Sequence, residues 1–356
     1  MEQIRLIDTG LVPAVRSQTV YHAVARAHGS DTPNTIILTS PAEPYVCIGY
    51  HQDLEQEVDL DYCAAHRLPV YRREVGGGAV YLDRDQLFTQ WVFAPRSLPR
   101  DLNDQFGLYI DPLVATYRAF GIDAYLRPVN DVHVGGKKIG GTGAAQIEDA
   151  RVLVGSLMFG FDKETMSKVL KVPSEKMRDK VFESLNEYMT TMSELLDPMP
   201  SRDEVVGRYL EECARVLDAE IVPGEMTETE SALAERLDSE FGGDAWLRQK
   251  GRVLNPGVKI HQDVRIVESV HKAPGGLVRV TARLNDGRIE RAEFSGDFTM
   301  LPSDGITAIE KALLGASLDR DQLVRLVKGS YDDLELESPG IEPLDFVQPL
   351  LQAAGP

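Results

Sequence analysis

Tyr71-Arg72-Arg73-Glu74-Val75-Gly76-Gly77-Gly78-Ala79-Val80-Tyr81 is the stretch around which the chain reads most clearly. Three consecutive glycines between β-branched and aromatic residues suit neither the middle of a helix nor that of a strand. They suit a place where backbone passes close to something else, because no Cβ stands in the way. Arg72 and Arg73 bring permanently charged, forked donors that match carboxylate or phosphate oxygens. On its own such a run would be a surface turn with incidental charge. A second stretch shifts the balance: Asn130-Asp131-Val132-His133-Val134-Gly135-Gly136-Lys137-Lys138-Ile139-Gly140-Gly141-Thr142-Gly143-Ala144-Ala145-Gln146. It sets a carboxylate and two lysines among five further glycines.

Composition narrows the function classes. The 356 residues are enough for two domains of ordinary size, and 43% hydrophobic with 26% charged residues is the balance of a globular protein. No apolar run approaches the roughly 20 residues that cross a bilayer. The start, Met1-Glu2-Gln3-Ile4-Arg5, lacks a basic segment followed by an apolar core, so a cytoplasmic protein is expected. Cys47, Cys63 and Cys213 are widely spaced with no CxxC, as in a reducing compartment. A net charge of −18 argues against a nucleic-acid partner, which needs a basic footprint.

Periodicity predicts a helix within residues 11–28, short strands at 35–39 and 45–50, and a short helix near 58–66. Residues 79–82 and 87–93 read as a hairpin turning near Asp83-Arg84-Asp85. A helix over 108–120 ends at Gly121, a strand follows from Val152 to Phe161, and Pro173-Ser174 separates a short helix from a longer one through Leu195. Ser201-x-x-Glu204 and Thr227-x-x-Glu230 are capping boxes that start helices. Strands near 263–270, 277–284 and 289–294 follow, the last two joined by Asn285-Asp286-Gly287, with helices near 305–315 and 318–328. A boundary near Ile221-Val222-Pro223-Gly224 divides the chain into residues 1–224 and 225–356.

The two glycine-rich stretches together resemble the lipoate–protein ligase family of the biotin/lipoate ligase superfamily. The first matches Arg-x-x-Gly-Gly-Gly-x-Val followed by an aromatic and Asp, here Arg73 to Asp83. The second matches Asn-Asp and then Lys-(Ile/Val)-x-Gly-(Ser/Thr)-(Ala/Gly), here Asn130-Asp131 and Lys138 to Gly143. Weaker similarity runs from Leu6 through most of the chain. Two positions depart from the family pattern: Leu82 stands where His often precedes the Asp, and Val154 where His often precedes Gly155-Ser156-Leu157.

The resemblance implies an α+β fold: a mixed-sheet biotin/lipoate-ligase-like catalytic domain plus a small α+β C-terminal accessory domain. It implies activation of lipoate by ATP to lipoyl-AMP, then transfer of the lipoyl group to a lysine of an acceptor. Lys138, directly before Ile-x-Gly, would be the catalytic cation and Lys137 its neighbouring control. Gly76, Gly77, Gly78, Ala79, Val80 and Tyr81 would line the adenylate and acyl pocket, with Arg73 at the motif arginine. Asn130, Gly141, Thr142, Gly143 and Ala144 complete the substrate-binding set, and Asp131 would be the Mg2+ ligand. Partners implied are an E2 lipoyl domain, the glycine-cleavage H protein or a lipoate-binding protein, with no membrane, and a monomer is expected. The accessory domain is expected to serve adenylation.

Three other readings compete. An octanoyltransferase of the same fold works through a cysteine, and none lies between Cys63 and Cys213. A biotin ligase would carry a Gly-Arg-Gly-Arg-x-Gly-Arg loop, which is missing. A noncatalytic sensor of an acyl ligand is argued against by the intact Lys138 motif.

Overall fold

The computed structural model describes residues 2–250 and 264–353. Its most buried strands, Thr35–Pro41 and Gln86–Phe93, have no exposed residue and lie inside an eight-stranded mixed sheet. The strand order is Ala219–Pro223, Glu2–Val12, Thr35–Pro41, Gln86–Phe93, Ala150–Met158, Lys137–Ile147, Asp131–Val134 and Tyr125–Arg127. The first two pairings are parallel and the rest antiparallel.

Side-chain alternation along Gln86–Phe93 shows why the sheet is covered on both faces. Gln90 donates to the carbonyl of Ser17 in the helix Arg16–Arg26. The neighbouring Trp91 points the other way and donates Nε1 to Tyr209 Oη at 3.0 Å, in the helix Arg202–Leu217. Thr89, on the same face as Trp91, meets Tyr109 of the helix Leu102–Ala119. A smaller sheet joins Val70–Arg72, Tyr45–Ile48 and Val80–Leu82.

Both expected capping boxes are present at Ser201 and Thr227. The hairpin expected over 79–93 is not: Val80–Leu82 pairs with Tyr45–Ile48, whereas Gln86–Phe93 enters the large sheet between two other strands. The polar turn at 83–85 reverses the chain but does not choose its partner. The early helix is confined to Arg16–Arg26, and a strand, Glu2–Val12, precedes it. A register shift between Asp8 and Leu11 interrupts that strand's two-residue alternation, which hides it in the sequence.

The described residues divide into two compact units. One holds residues 2–47, 58–72 and 80–247; the other holds 48–57, 73–79, 248–250 and 264–353. This grouping differs from a single cut after residue 224. The helix Glu228–Phe241 belongs with the first unit because Arg5 reaches Glu230, while Arg16 and Thr19 both bond Asp238. Two short segments from the first half of the chain belong with the second.

The second unit is built on the antiparallel strands Val264–Ala273, Gly276–Asn285 and Arg288–Gly296. Asp286 and Gly287 both have positive φ, which makes the expected tight turn. Val278, Val280, Ala282 and Leu284, two residues apart, bury one face against Ile306, Ile309, Leu323, Val327 and Phe346. Those residues come from the helices Gly305–Ala312, Arg320–Leu334 and Pro343–Ala353.

Candidate active site

Lys138 and Asp131 meet in the first unit. Their hairpin pairs Asp131 with Gly141 and Val132 with Gly140, then shifts register so that His133 faces Lys138. Residues 138 and 141 are three apart and would point to opposite faces of a regular strand. The extra residue, Ile139, turns Lys138 back onto Asp131's face. Lys138 Nζ lies 2.7 Å from Asp131 Oδ1, with about a third of each side chain open to solvent (37% and 30%).

The glycine opposite Asp131 is what lets the amine lie there. A Cβ on Gly141 would come within 2.9 Å of Lys138 Nζ and 3.1 Å of its Cε. Asn130 and Thr142 lock the next rung: Thr142 N and Oγ1 both donate to the Asn130 carbonyl, at 3.0 and 2.9 Å. The Asn130 side-chain amide returns a bond to the Thr142 carbonyl. Gly143 and Ala144 are buried and pair with Val154 and Leu153 in the sheet. Lys137 instead points its Nζ to the carbonyl of Asn186.

Three residues around this hairpin were not singled out from the sequence. His133 is buried, with Nε2 3.8 Å from Asp131 Oδ2. Burial holds its imidazole below the ordinary value, and Asp131 pulls it back only in part. Tyr117 donates its hydroxyl to the Ile139 carbonyl, and Thr190 N–H donates to the Lys138 carbonyl at 2.9 Å. Only His133 could have been found, because it stands two residues from Asp131 and so on its face.

The other glycine stretch belongs to the second unit as far as Ala79. Arg73 folds over its own turn, donating Nε and Nη2 to the Gly76 carbonyl and Nη2 to the Gly78 carbonyl at 2.8 Å. The glycines answer close backbone contacts. A Cβ on Gly76 would press on Phe298 O and come within 2.7 Å of Thr299 Cα, and one on Gly49 would strike the Gly77 carbonyl. Gly77 has φ +93°, a conformation that favours glycine. Val80 and Tyr81 lie in the small sheet of the first unit, with Tyr81 buried and its hydroxyl pushed up to about 12 by that burial. Arg72 is fully buried; its Nε donates to the Leu247 carbonyl and its own carbonyl accepts Trp246 Nε1.

The three cysteines are buried and in no disulfide. Cys47 is in the small sheet, opposite Val80. Burial pushes the Cys63 thiol up to about 11, with Asp59 adding to it, and raises Cys213 further. Among the described residues no three His, Cys, Asp or Glu side chains are grouped to hold a metal, and no helix is long and apolar enough to cross a membrane. Asp131, already shared with Lys138, fits Mg2+ only as one carboxylate on an ion held mainly by phosphate oxygens, a common arrangement for that metal.

Comparison with known proteins adds to this geometry. The model of the "Lipoyl protein ligase A/B catalytic domain" matches residues 15–214, and that of the "Bacterial lipoate protein ligase C-terminus" matches residues 267–350. A Thermoplasma acidophilum lipoate-protein ligase A subunit 1 is 32% identical over 56% of this chain and 79% of its own length. A Kyrpidia tusciae octanoyltransferase LipM is 29% identical over 70% of this chain and 100% of its own. Among solved structures, the T. acidophilum bipartite lipoate protein ligase, studied with its E2 lipoyl domain, superimposes with TM-score 0.63 at 28% identity, covering 71% of this chain and 99% of that one. A lipoate-protein ligase A bound with ATP gives 0.60 at 26% identity, covering 70% and 99%.

Proposed function

This chain belongs to the lipoyl protein ligase A/B family of ligases and transferases, and we propose that within it the protein is an ATP-dependent lipoate–protein ligase. The observation that carries the choice is the chemistry around Lys138. An ion-paired amine stands on a glycine-floored hairpin, and every cysteine is buried elsewhere with Cys63 and Cys213 held protonated. A transferase working through a thiolate needs an accessible low-pKa sulfur, and burial does the opposite to both of these.

In the first half-reaction a lipoate carboxylate oxygen attacks the α-phosphorus of ATP. A new O–P bond forms, the bond to the β-phosphate oxygen breaks, and pyrophosphate leaves. Lys138 carries three N–H donors. One is spent on Asp131, which leaves two for an oxygen of the carboxylate and an oxygen of the α-phosphate. Negative charge grows on those oxygens, and a fixed donor of this kind is worth about 10²–10³ in rate. Mg2+, when bound with the triphosphate, would neutralise phosphate charge, and Asp131 would be the carboxylate that holds it.

In the second half-reaction the neutral acceptor lysine attacks the acyl carbon. The C–N bond forms, the C–O bond to AMP breaks, and the amine gives up a proton to water. Lys138 holds the departing phosphate oxygen. Asn130, Thr142, Gly143 and Ala144 are assigned to substrate binding at the hairpin, while Arg73, Gly76, Gly77, Gly78, Ala79, Val80 and Tyr81 are assigned to adenylate and acyl binding on the motif resemblance. The ATP-bound and bipartite relatives support ATP as co-substrate and an E2 lipoyl domain as acceptor. A cytoplasmic monomer is part of the same reading.

An octanoyltransferase is the second reading, since the K. tusciae relative of that name is matched over its full length. Incubation with lipoate, Mg-ATP and a panel of apo acceptor domains, read by intact mass, separates the two. The ligase adds a lipoyl mass only when ATP is present. Modification from octanoyl carrier protein, with none from free acid and ATP, would establish the transferase.

A further inference from the structure

We infer that a chain of polar contacts, from buried Lys163 through the partly exposed Glu194 to buried Thr190, positions Lys138 for its reaction; this rests on the catalytic role given to Lys138 above. Lys163, at the start of the helix Lys163–Val169, is almost fully buried and places Nζ 2.6 Å from Glu194 Oε1. The other oxygen of that carboxylate accepts the Thr190 hydroxyl at 3.0 Å. Thr190 is itself buried, and its backbone N–H reaches the Lys138 carbonyl at 2.9 Å. Met189 pairs as a parallel bridge with Lys138, and Ser193 N–H donates to the Phe159 carbonyl at 3.0 Å. The segment 189–194 is thereby fixed at both ends.

Lys138 sits at the register shift of its hairpin, so the pairing with His133 alone does not define its position. The Thr190 bond supplies the second constraint, from the side opposite His133. A buried lysine is costly unless paired and hydrogen-bonded, so Lys163 keeps Glu194 as its partner although that side chain is 42% exposed, and the carboxylate's other oxygen stays on Thr190. Sub-ångström errors in a catalytic cation are expensive: a misplacement of about 1 Å is enough to cost up to about 10²-fold. Thr190, Glu194 and Lys163 touch no reacting atom in this account, so they are positioning residues.

The test uses the full chain and three variants, Thr190→Val, Glu194→Gln and Lys163→Met. Thr190→Val keeps the backbone donor and the ion pair, removes only the hydroxyl tether, and therefore guards against misfolding. Lipoyl-AMP formation should show kcat lowered about tenfold with KM for lipoate and ATP nearly unchanged. The Thr190→Val/Glu194→Gln double variant should lose no more than the worse single one, because both cut the same link. Hydrogen exchange provides a readout independent of activity: the amide of residue 190 should exchange roughly fivefold faster in Thr190→Val, with the rest of the hairpin unchanged. If wild type forms no lipoyl-AMP, the functional reading fails, and faster exchange at residue 190 alone still upholds the tether. Unchanged exchange overturns the inference, as does a loss of kcat that merely tracks the unfolded fraction.

Discussion

The hairpin around Lys138 and the turn around Gly76 are both glycine-rich, yet their glycines do different things. Under Lys138 the missing Cβ of Gly141 makes room for the end of a flexible side chain. At Gly76 and Gly49 the missing Cβ makes room for other backbone. The arginine and the lysine differ in the same way. Arg73 is bonded to the carbonyls of its own turn, while Lys138 holds one carboxylate and keeps about a third of its side chain in solvent (37%). A glycine motif therefore specifies either a reactive group's position or a fold, and its neighbours decide which.

The largest effect should come from Lys138→Ala. It should lower pyrophosphate release with lipoate and ATP by roughly 10²-fold or more, because a preorganised charge partner is lost. Lys137→Ala, whose side chain only bonds the Asn186 carbonyl, should keep most of its activity. Equal rates for the two variants would remove Lys138 from the mechanism.

Gly76→Ala comes next and acts on stability. Phe298 O and Thr299 Cα cannot step aside as a side chain can, so overpacking should cost about 2 kcal/mol in the unfolding of the second unit. A denaturant midpoint measures it. A variant that stays fully stable but loses ATP or lipoate binding would mean that Gly76 acts by substrate contact alone and has no packing role.

Gly141→Ala should show the opposite pattern. Lys138's amine can swing away from the new methyl, so the fold survives and the charge is misplaced. Adenylation should fall about tenfold, within the cost of a small misplacement. Wild-type rates would show that Lys138 reaches its working position by another path.

His22 offers a smaller effect that leaves the Lys138 hairpin alone. It is buried between Tyr21 and Phe241, and that burial holds its pKa well below 6.5. The unfolded chain takes up this proton first as pH falls, so the stability from a neutral His22 is present above about 6.5 and lost below it. Between pH 7.5 and 5.5 wild type should lose about 1 kcal/mol more than His22→Leu. Parallel losses would mean that His22 is not the group titrating.

Much of this was legible because it is local. The capping boxes at Ser201 and Thr227 and the Asn285-Asp286-Gly287 turn all depend on residues close in sequence. What escaped depends on distant partners. Nothing in residues 79–93 tells that Val80–Leu82 joins Tyr45–Ile48. The helix Pro343–Ala353 carries an internal Pro349, which argues against a helix in sequence although the fold retains it. Arg73's bonds to its own turn and Thr190's bond to Lys138 were likewise invisible, since both are facts of backbone geometry.

The central claim is that an acid is activated by ATP at Lys138 without any thiol. It is tested most directly by leaving the acceptor out. Wild type and a Cys47→Ala, Cys63→Ala, Cys213→Ala variant are incubated with lipoate and Mg-ATP, and lipoyl-AMP is read by mass together with pyrophosphate. The account predicts equal lipoyl-AMP and pyrophosphate from both proteins. Absence of lipoyl-AMP from folded, ATP-bound wild type, or its loss in a folded cysteine-free variant, would contradict it.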